Sequence, residues 1–368
     1  MGINFHNSQN KARYQVRIEP YSRRFKQPLQ THHGLWRDRQ GIWIQLCPMA
    51  ASEAGECGWG EIAPLPEFGS ENLTEALHFC QSLRGEISPE EINSIPDDLP
   101  ACQFGFESAL MDLHPLENPP HLMNICGLLP TGKAALDPKL PIWNQGYATL
   151  KWKIAVTEIS QELALFQDLL WMLPEGVKLR LDANGGLTEA EAHQWLQACE
   201  HQPVEFLEQP LGRSEFEAML ALSHEYETPL ALDESIATWQ QFLQVYHRGW
   251  PSIMVIKPAI FGFPSRLIEF CHAHPVDIVL SSVFETAIAR KMLFRLATTL
   301  PNLDRALGLG TDRWFEDGGM GEWGNGGMGE WGDTGRWRRG DAGTRGHGEM
   351  ETRGRGDAGT RGDGDAKK

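Results

Sequence analysis

Five short apolar runs between residues 149 and 257 each end on a charged side chain and are followed by a segment with helical periodicity. Short, continuously apolar runs are typical of parallel strands buried between helices. The charged ends are spaced 29, 26, 25 and 24 residues apart, roughly one strand–helix unit each, and they are Lys153, Asp182, Glu208, Asp233 and Lys257. In a barrel of parallel strands such ends open onto one face, where catalytic residues lie. The pattern therefore predicts an enzyme.

The strand–helix alternation extends over residues 126–316, with a first strand at 126–130, a seventh after Asp277 and an eighth at 306–310. Eight strands and seven helices predict a (β/α)7β barrel, slightly short of a complete TIM barrel. Residues 14–125 differ, because two alternating strands, beginning at Tyr14 and Gln40, precede helical segments at 72–83 and 103–113. Strands followed by helices predict a separate α+β domain. Residues 1–13 are expected to form a flexible N-terminus.

The composition changes after residue 316. Residues 317–368 hold 18 of the 38 glycines, and the motifs Gly-Gly-Met-Gly-Glu-Trp-Gly and Gly-Asp-Ala-Gly-Thr-Arg-Gly each occur twice. A segment with so few aliphatic side chains cannot offset its ordering entropy by burial. We predict a disordered, low-complexity tail.

Charge and cysteine content narrow the class of protein. The net charge of −16 disfavours nucleic acid and anionic membranes as partners. No apolar run approaches the length of about 18 residues that spans a bilayer, and the first ten residues lack a signal-peptide apolar region. Seven scattered cysteines, never spaced as Cys-x-x-Cys, argue against a disulfide framework and a zinc site. These features predict a cytoplasmic protein.

Three of the strand ends are carboxylates without Cys or His beside them. Asp182, Glu208 and Asp233 are hard oxygen ligands that suit octahedral Mg²⁺, with Mn²⁺ as a substitute. The alternative is that these carboxylates only pair with neighbouring lysines. Their occurrence on three consecutive strands favours the metal site.

The lysines complete the candidate chemistry. Lys151 and Lys153 point the same way on one strand, and two lysines close together near a cation disfavour protonation, so that one can act as a base. Lys257 is placed to stand on the opposite side of the substrate. A metal ion with such a base suits removal of a proton next to a carboxylate, because the ion stabilises the enediolate. Candidates for orienting these groups or contacting the substrate are Arg180, Asn184, Glu234, Ser281 and Ser282.

The set Lys-x-Lys, Asp-x-Asn, Glu-Gln-Pro, Asp-Glu and Lys-Pro on successive strands resembles the muconate-lactonizing subgroup of the enolase superfamily. Within it the chain is most similar to the o-succinylbenzoate synthase family, through Gly-Leu-Leu-Pro-Thr-Gly at residues 127–132, Lys-Trp-Lys-Ile at 151–154 and Gly-Leu-Gly-Thr at 308–311. The resemblance covers residues 14–316 and implies an N-terminal capping domain. It also implies Mg²⁺-dependent dehydration of a succinyl-hydroxycyclohexadiene-carboxylate to 2-succinylbenzoate, in menaquinone or phylloquinone synthesis.

The resemblance also implies roles for single residues. Lys153 is the base and then the acid that helps hydroxide to leave, and Lys257 is a cation–π partner of the substrate ring. Asp182, Glu208 and Asp233 are the metal ligands.

Three other functions stay open at this point. A racemase or dipeptide epimerase on the same scaffold would use Lys153 and Lys257 as two bases, although the Asp-x-Asp typical of dipeptide epimerases is missing from the last strand. Muconate cycloisomerisation and a non-catalytic binding barrel are weaker alternatives. The partner expected is a small-molecule carboxylate, and the sequence leaves the oligomeric state open.

Overall fold

The computed structural model describes residues 12–31, 34–49, 57–114, 123–311, 314–316, 331–332 and 336–337. Nearly all of the predicted flexible N-terminus and of the predicted disordered tail lies outside the described residues. Within the tail, two short antiparallel strands are described, β12 at Trp331–Gly332 and β13 at Arg336–Trp337.

The N-terminal part contains a four-stranded antiparallel sheet with three helices. The strands lie in the order β3-β2-β1-β4 and are β1 (Tyr14–Thr31), β2 (Gly34–Pro48), β3 (Gly58–Ile62) and β4 (Glu86–Ile87). The helices are α1 (Leu73–Ser82), α2 (Pro89–Asn93) and α3 (Pro100–Asp112). Helices α1 and α2 each begin with a reciprocal capping box, from Asn72 and Ser88 respectively, which satisfies backbone N–H groups that the first turn leaves unbonded. The prediction of an α+β arrangement is confirmed.

Strand β3 was not apparent in the sequence, because its glycines obscure the strand pattern. Both glycines face α3 closely. A Cβ atom on Gly58 would lie 2.0 Å from the carbonyl oxygen of Ala109, and one on Gly60 would lie 1.9 Å from that of Gly105. Only glycine therefore lets the helix lie directly on this strand.

The structure corrects one cysteine prediction. Cys47 and Cys57 form a disulfide, with their Cα atoms 4.4 Å apart. They extend the β2–β3 ladder by one position beyond the pair Leu46 and Gly58, so antiparallel pairing places them opposite each other. The other five cysteines are free and buried.

The second part is a parallel sheet whose strands follow chain order: β5 (Gly127–Leu128), β6 (Thr149–Lys153), β7 (Lys178–Asp182), β8 (Val204–Glu208), β9 (Leu230–Leu232), β10 (Ile253–Ile256) and β11 (Ile278–Leu280). The ring is closed by two parallel bridges, from Leu307 to Ile125 and from Gly308 to Ser281. This segment is the eighth strand. The prediction of a (β/α)7β TIM-like barrel with an N-terminal α+β part is confirmed.

Six α-helices surround the strands: α4 (Ile159–Met172), α5 (Glu189–Cys199), α6 (Phe216–Glu225), α7 (Trp239–His247), α8 (Pro264–Ala273) and α9 (Ala287–Thr299). The connection between β5 and β6 carries instead two 3-10 helices, Gly132–Leu136 and Pro141–Asn144, because prolines at 130, 138 and 141 prevent a continuous helix. None of the helices in the described residues is both long and apolar enough to cross a membrane.

Side chains alternate between the inside and the outside of the barrel. Ile253 and Val255 belong to a small inner cluster with Phe206, Ala231 and Val279, whereas Met254 and Ile256 belong to the main core. With a period of two, Lys257 continues the inner face above Val255. The main core also contains side chains of the N-terminal sheet, so the two parts share one core. The domain boundary at residues 125–126 stays a prediction.

Buried glutamates of the N-terminal part bond to the first turns of two barrel helices. Glu61, on β3, is fully buried and accepts hydrogen bonds from the backbone N–H groups of Thr286 and Ala289 and from the Tyr21 hydroxyl. Glu107, on α3, accepts from the N–H of Ser265 at 2.9 Å. A carboxylate at a helix N-terminus satisfies unbonded N–H groups and complements the helix dipole. These contacts fix the N-terminal part against α8 and α9.

We predict that Glu61→Ala lowers the free energy of unfolding by about 3 kcal/mol or more, because several charge-assisted hydrogen bonds are lost and their buried donors are left unsatisfied. The matched control is Glu75→Ala, which removes an exposed capping carboxylate and should cost about 1 kcal/mol. Denaturant unfolding monitored by circular dichroism measures both values. Equal losses in the two variants would contradict this role for Glu61.

Candidate active site

The predicted strand ends meet on one rim of the barrel. Lys153 is paired in register with Asp182, and Asp182 with Glu208. On the next strand Glu208 is paired with Ala231, two residues before Asp233. The three carboxylates are buried, with 7%, 2% and 5% of their surfaces exposed for Asp182, Glu208 and Asp233. The parallel register thus brings these side chains together.

Lys151 lies between two of the carboxylates. Its ammonium is 2.8 Å from Asp182 and 2.8 Å from Glu208. Burial alone would lower the pKa of Lys151, but the surrounding carboxylates raise it well above its ordinary value. Lys151 is therefore a cation, and it is not the neutral lysine that the sequence suggested for one of the pair.

The other two lysines have different surroundings. Lys257 forms an ion pair with Asp233, and its ammonium lies over the ring of Phe68, 4.5 Å from the centroid. Phe68 ends a 3-10 helix of the N-terminal part, Pro66–Phe68, so that part reaches the barrel rim. The ammonium of Lys153 forms no hydrogen bond or ion pair with any residue in the described ranges. Lys153 thus differs from Lys151 and Lys257, whose ammonium groups pair with carboxylates.

Negative charge is concentrated beside these lysines. Burial and then the Asp182 carboxylate raise the pKa of Glu208 to about 8. Burial and then the Asp233 carboxylate raise the pKa of Glu234 to about 7. For Asp182 burial is again the largest influence and acts in the same direction, but the Lys151 ammonium, the Asn184 N–H and Lys153 together lower the pKa. The carboxylates therefore repel one another, and the lysines compensate them only in part.

Three non-glycine residues with left-handed backbone follow the functional strand ends closely: Ala155 (φ 60), Asn184 (φ 46) and Gln209 (φ 38). Such conformations cost on the order of 1–3 kcal/mol and persist where other contacts hold them. Behind Lys153, the buried Glu162 carboxylate accepts hydrogen bonds from the backbone N–H groups of Ala155, Val156 and Thr157 at 2.8–3.0 Å. Glu162 thereby fixes the turn after Lys153.

Two of the candidate supporting residues contact each other at the rim. The Asn184 side chain donates to Glu234 at 3.0 Å, and the Asn184 backbone N–H donates to Asp182 at 3.1 Å. Both residues are thus placed to hold Asp182 and the turn after β9.

Arg180 requires a correction. It was expected to orient Asp182, but its guanidinium Nε donates to Glu205 at 2.7 Å and lies over the ring of Phe206. The register of β7 and β8 shifts at this point, and the bulge leaves Glu205 as an extra residue. Arg180 therefore lies one layer deeper in the barrel, where Glu205 also pairs with Arg305.

Ser281 and Ser282 face in opposite directions. Ser281 follows the inner residue Val279 by two positions and so continues the inner face of β11. The Ser282 hydroxyl is buried and donates to the Glu285 carboxylate at 2.9 Å. It also lies 3.0 Å from the Thr311 hydroxyl, and so Ser282 supports the turn and not the open rim.

Sequence reasoning missed Glu162, Gln209 and Phe68. Gln209 stands directly after the predicted ligand Glu208, and an amide in a buried position next to a ligand was a usable signal. Glu162 follows the turn that it supports by only five to seven residues, but it lies within an ordinary helical pattern that does not mark this role. Phe68 is distant in sequence from Lys257, and no local pattern marks it.

Comparison with known proteins agrees with this geometry. Residues 141–320 match the family model described as enolase C-terminal domain-like, and residues 16–113 match that of the MenC N-terminal domain. The chain is 40% identical to o-succinylbenzoate synthase of Thermosynechococcus vestitus over 307 residues, which cover 82% of this chain and 93% of that protein. The chain belongs to the o-succinylbenzoate synthase family.

Solved structures extend the comparison. The crystal structure of o-succinylbenzoate synthase from Thermosynechococcus elongatus, with Mg in its active site, superposes with a TM-score of 0.74 at 38% identity, covering 82% of this chain and 94% of that one. A dipeptide epimerase from Enterococcus faecalis gives 0.73 at 21% identity, covering 89% and 97%. The latter likeness shows the shared fold alone.

The chemistry of the rim fits the divalent cation that this family implies. Burial and then the neighbouring Asp182 charge raise the pKa of Glu208, and a cation beside these carboxylates would reverse that shift. In the part of the chain that the structure describes, no three Asp, Glu, His or Cys side chains are arranged to hold a metal ion together. The rim carboxylates instead bond to Lys151 and Lys257. A cation would therefore take over contacts that the ammonium groups now make.

We predict that stability of the metal-free protein falls as the pH rises from about 4.5 to about 8. Folded Glu208 holds its proton to a pKa of about 8, whereas an unfolded glutamate releases it near the ordinary glutamate pKa of 4.5, so the folded state binds more protons in this window. Glu208→Gln should flatten this fall. The measurement is denaturant unfolding with chelator at several pH values, and identical slopes in the two proteins would refute the assignment.

Proposed function

We propose that the chain catalyses the Mg²⁺-dependent dehydration of 2-succinyl-6-hydroxy-2,4-cyclohexadiene-1-carboxylate to 2-succinylbenzoate, a step of menaquinone or phylloquinone synthesis. The observation that carries the proposal is the rim itself. It combines three adjacent buried carboxylates with a lysine whose ammonium has no bonded partner among the described residues, within a member of this family. The reaction needs one proton carrier and stabilisation of carboxylate charge.

Asp182, Glu208 and Asp233 would hold the cation. Bound there, Mg²⁺ would stabilise the negative charge that develops on the substrate carboxylate when the neighbouring proton is removed, and Mn²⁺ has the oxygen preference to substitute. Asn184 and Glu234 keep the Asp182 and Asp233 turns together. Lys151, which stays protonated, keeps two of the carboxylates close to each other and adds positive charge beside Lys153.

Lys153 carries the proton. Its Nζ atom takes the proton from the carbon next to the carboxylate and then returns it to the departing hydroxyl group. The C–H and C–O bonds break, water leaves and the ring becomes aromatic, so no oxidant is needed.

Lys257 stabilises charge from the other side of the barrel. In the present arrangement it bonds to Asp233 and lies against Phe68. The same preference for an aromatic face would let it lie over the substrate ring. A racemase on the same scaffold would instead need Lys257 as a second base, and the lysine variants below separate the two functions.

We predict that the purified protein forms 2-succinylbenzoate only with a divalent cation. Asp233→Asn should lower activity by more than about 100-fold, which exceeds the usual cost of losing a residue behind a metal ligand. The control is Asp277→Asn, at the opposite end of the barrel, where the carboxylate pairs with Arg305. Product absorbance with and without chelator measures the effect, and full activity after chelation would contradict the proposal.

We predict that Lys153→Arg lowers kcat by about 1000-fold, since arginine cannot exchange a proton near neutral pH. Lys257→Arg keeps the positive charge and should retain measurable dehydration while any racemase side activity is lost. The two activities are followed by product absorbance and by polarimetry with an N-acylamino acid. The roles are reversed if Lys257→Arg loses both activities and Lys153→Arg retains dehydration.

A further inference from the structure

We propose that Gln209 is a positioning residue whose side chain sets the placement of Asp233 relative to Glu208 and so determines the affinity for the metal ion. The proposal rests on the proposed function, in which these two carboxylates are ligands. It assigns to Gln209 a role that the contacts of its side chain specify.

Gln209 is fully buried and directly follows Glu208. Its Oε1 atom accepts hydrogen bonds from the backbone N–H groups of Asp233 at 3.0 Å and of Ser235 at 3.1 Å. Its Nε2 atom donates to the carbonyl of Leu211 at 2.9 Å and to the Ser235 hydroxyl at 2.8 Å. Both acceptor sites and both donor hydrogens of the amide are therefore used.

The main chain of Gln209 continues the same connection. Its N–H donates to the carbonyl of Ala231 at 2.7 Å, and its carbonyl accepts from the N–H of Gly185 at 2.7 Å. One residue thus joins the turns that follow β7, β8 and β9, and each of these turns adjoins one of the three carboxylates. Its left-handed backbone (φ 38) is retained because these six contacts outweigh the strain.

This arrangement has a specific consequence for Asp233. Its backbone N–H is held by a side chain of the neighbouring ligand strand, so that the distance between the two carboxylates depends on the length and polarity of residue 209. Methionine has nearly the same length but neither accepts nor donates well, and asparagine is one methylene too short to bridge both turns. Either substitution should let the turn after β9 move relative to Glu208.

A buried glutamine elsewhere provides the matched control. Gln103, on α3, is 1% exposed and donates from Nε2 to the carbonyls of Ile95 at 2.8 Å and Pro96 at 3.1 Å. Its partners belong to the N-terminal part and to no predicted ligand turn. Gln103→Met should therefore destabilise the fold as Gln209→Met does, without affecting the metal site.

The test titrates Mg²⁺ into chelator-treated full-length protein by calorimetry, with folding checked by circular dichroism. Gln209→Met should weaken Mg²⁺ binding about 10- to 100-fold, the usual cost of losing a residue behind a metal ligand, and Gln103→Met should change it less than about twofold. Ser235→Ala keeps both Oε1 contacts and should change it less than about threefold. If Gln209→Met does not fold, Gln209→Asn is measured in its place, with the same expected weakening of Mg²⁺ binding by about 10- to 100-fold.

The experiment separates this inference from the proposed function. Unchanged Mg²⁺ binding by Asp233→Asn overturns the ligand set and the inference with it. Loss of binding by Asp233→Asn together with wild-type binding by the Gln209 variant overturns the inference alone. Equal weakening by Gln103→Met also overturns it, because the effect would then follow from general destabilisation.

Discussion

The repulsion among the buried carboxylates at the barrel rim is the constraint on which the rest of the site depends. Burial of like charges is costly unless cations compensate it, and here burial and the Asp182 charge raise the pKa of Glu208 to about 8. Lys151 and Lys257 compensate part of this charge by bonding to the carboxylates. We propose that the remaining charge makes the rim a site for a divalent cation, whose binding would free these ammonium groups to act on the substrate.

The surrounding structure holds this unfavourable arrangement in place. Glu162 fixes the turn after Lys153, Asn184 joins Asp182 to Glu234, and Gln209 joins the turns after three strands. The cost of left-handed backbone at these turns is offset by their hydrogen bonds. On the outer side, Glu61 holds the N-terminal part against the first turn of helix α9. Rigid support of this kind keeps reacting groups within the narrow tolerances that catalysis requires.

Much of this could be predicted from the sequence, because a short buried strand that ends on a charge is a local signal. The rim residues from Lys153 to Lys257 and the barrel itself could be predicted from the regular spacing of these charged strand ends. The direction of the Arg180 side chain could not be predicted, since it depends on a bulge at Glu205 that shifts the register by one residue. Strand β3 and the Cys47–Cys57 disulfide were missed because both depend on tertiary pairing: a helix packed on glycines, and a ladder that brings two cysteines together. Contacts over long sequence separation, such as Glu61 with Thr286, leave no local pattern.

A crystal structure with Mg²⁺ and 2-succinylbenzoate would test the central claim most directly. The account predicts one octahedral ion with oxygens of Asp182, Glu208 and Asp233 at about 2.0–2.1 Å, and a Lys257 ammonium that has left Asp233 for the product ring. Lys153 should lie within about 3.2 Å of the carbon or oxygen atoms between which the proton moved. An ion bound without Glu208, or a Lys257 ammonium still bonded to Asp233 beside the bound ion, would contradict the account.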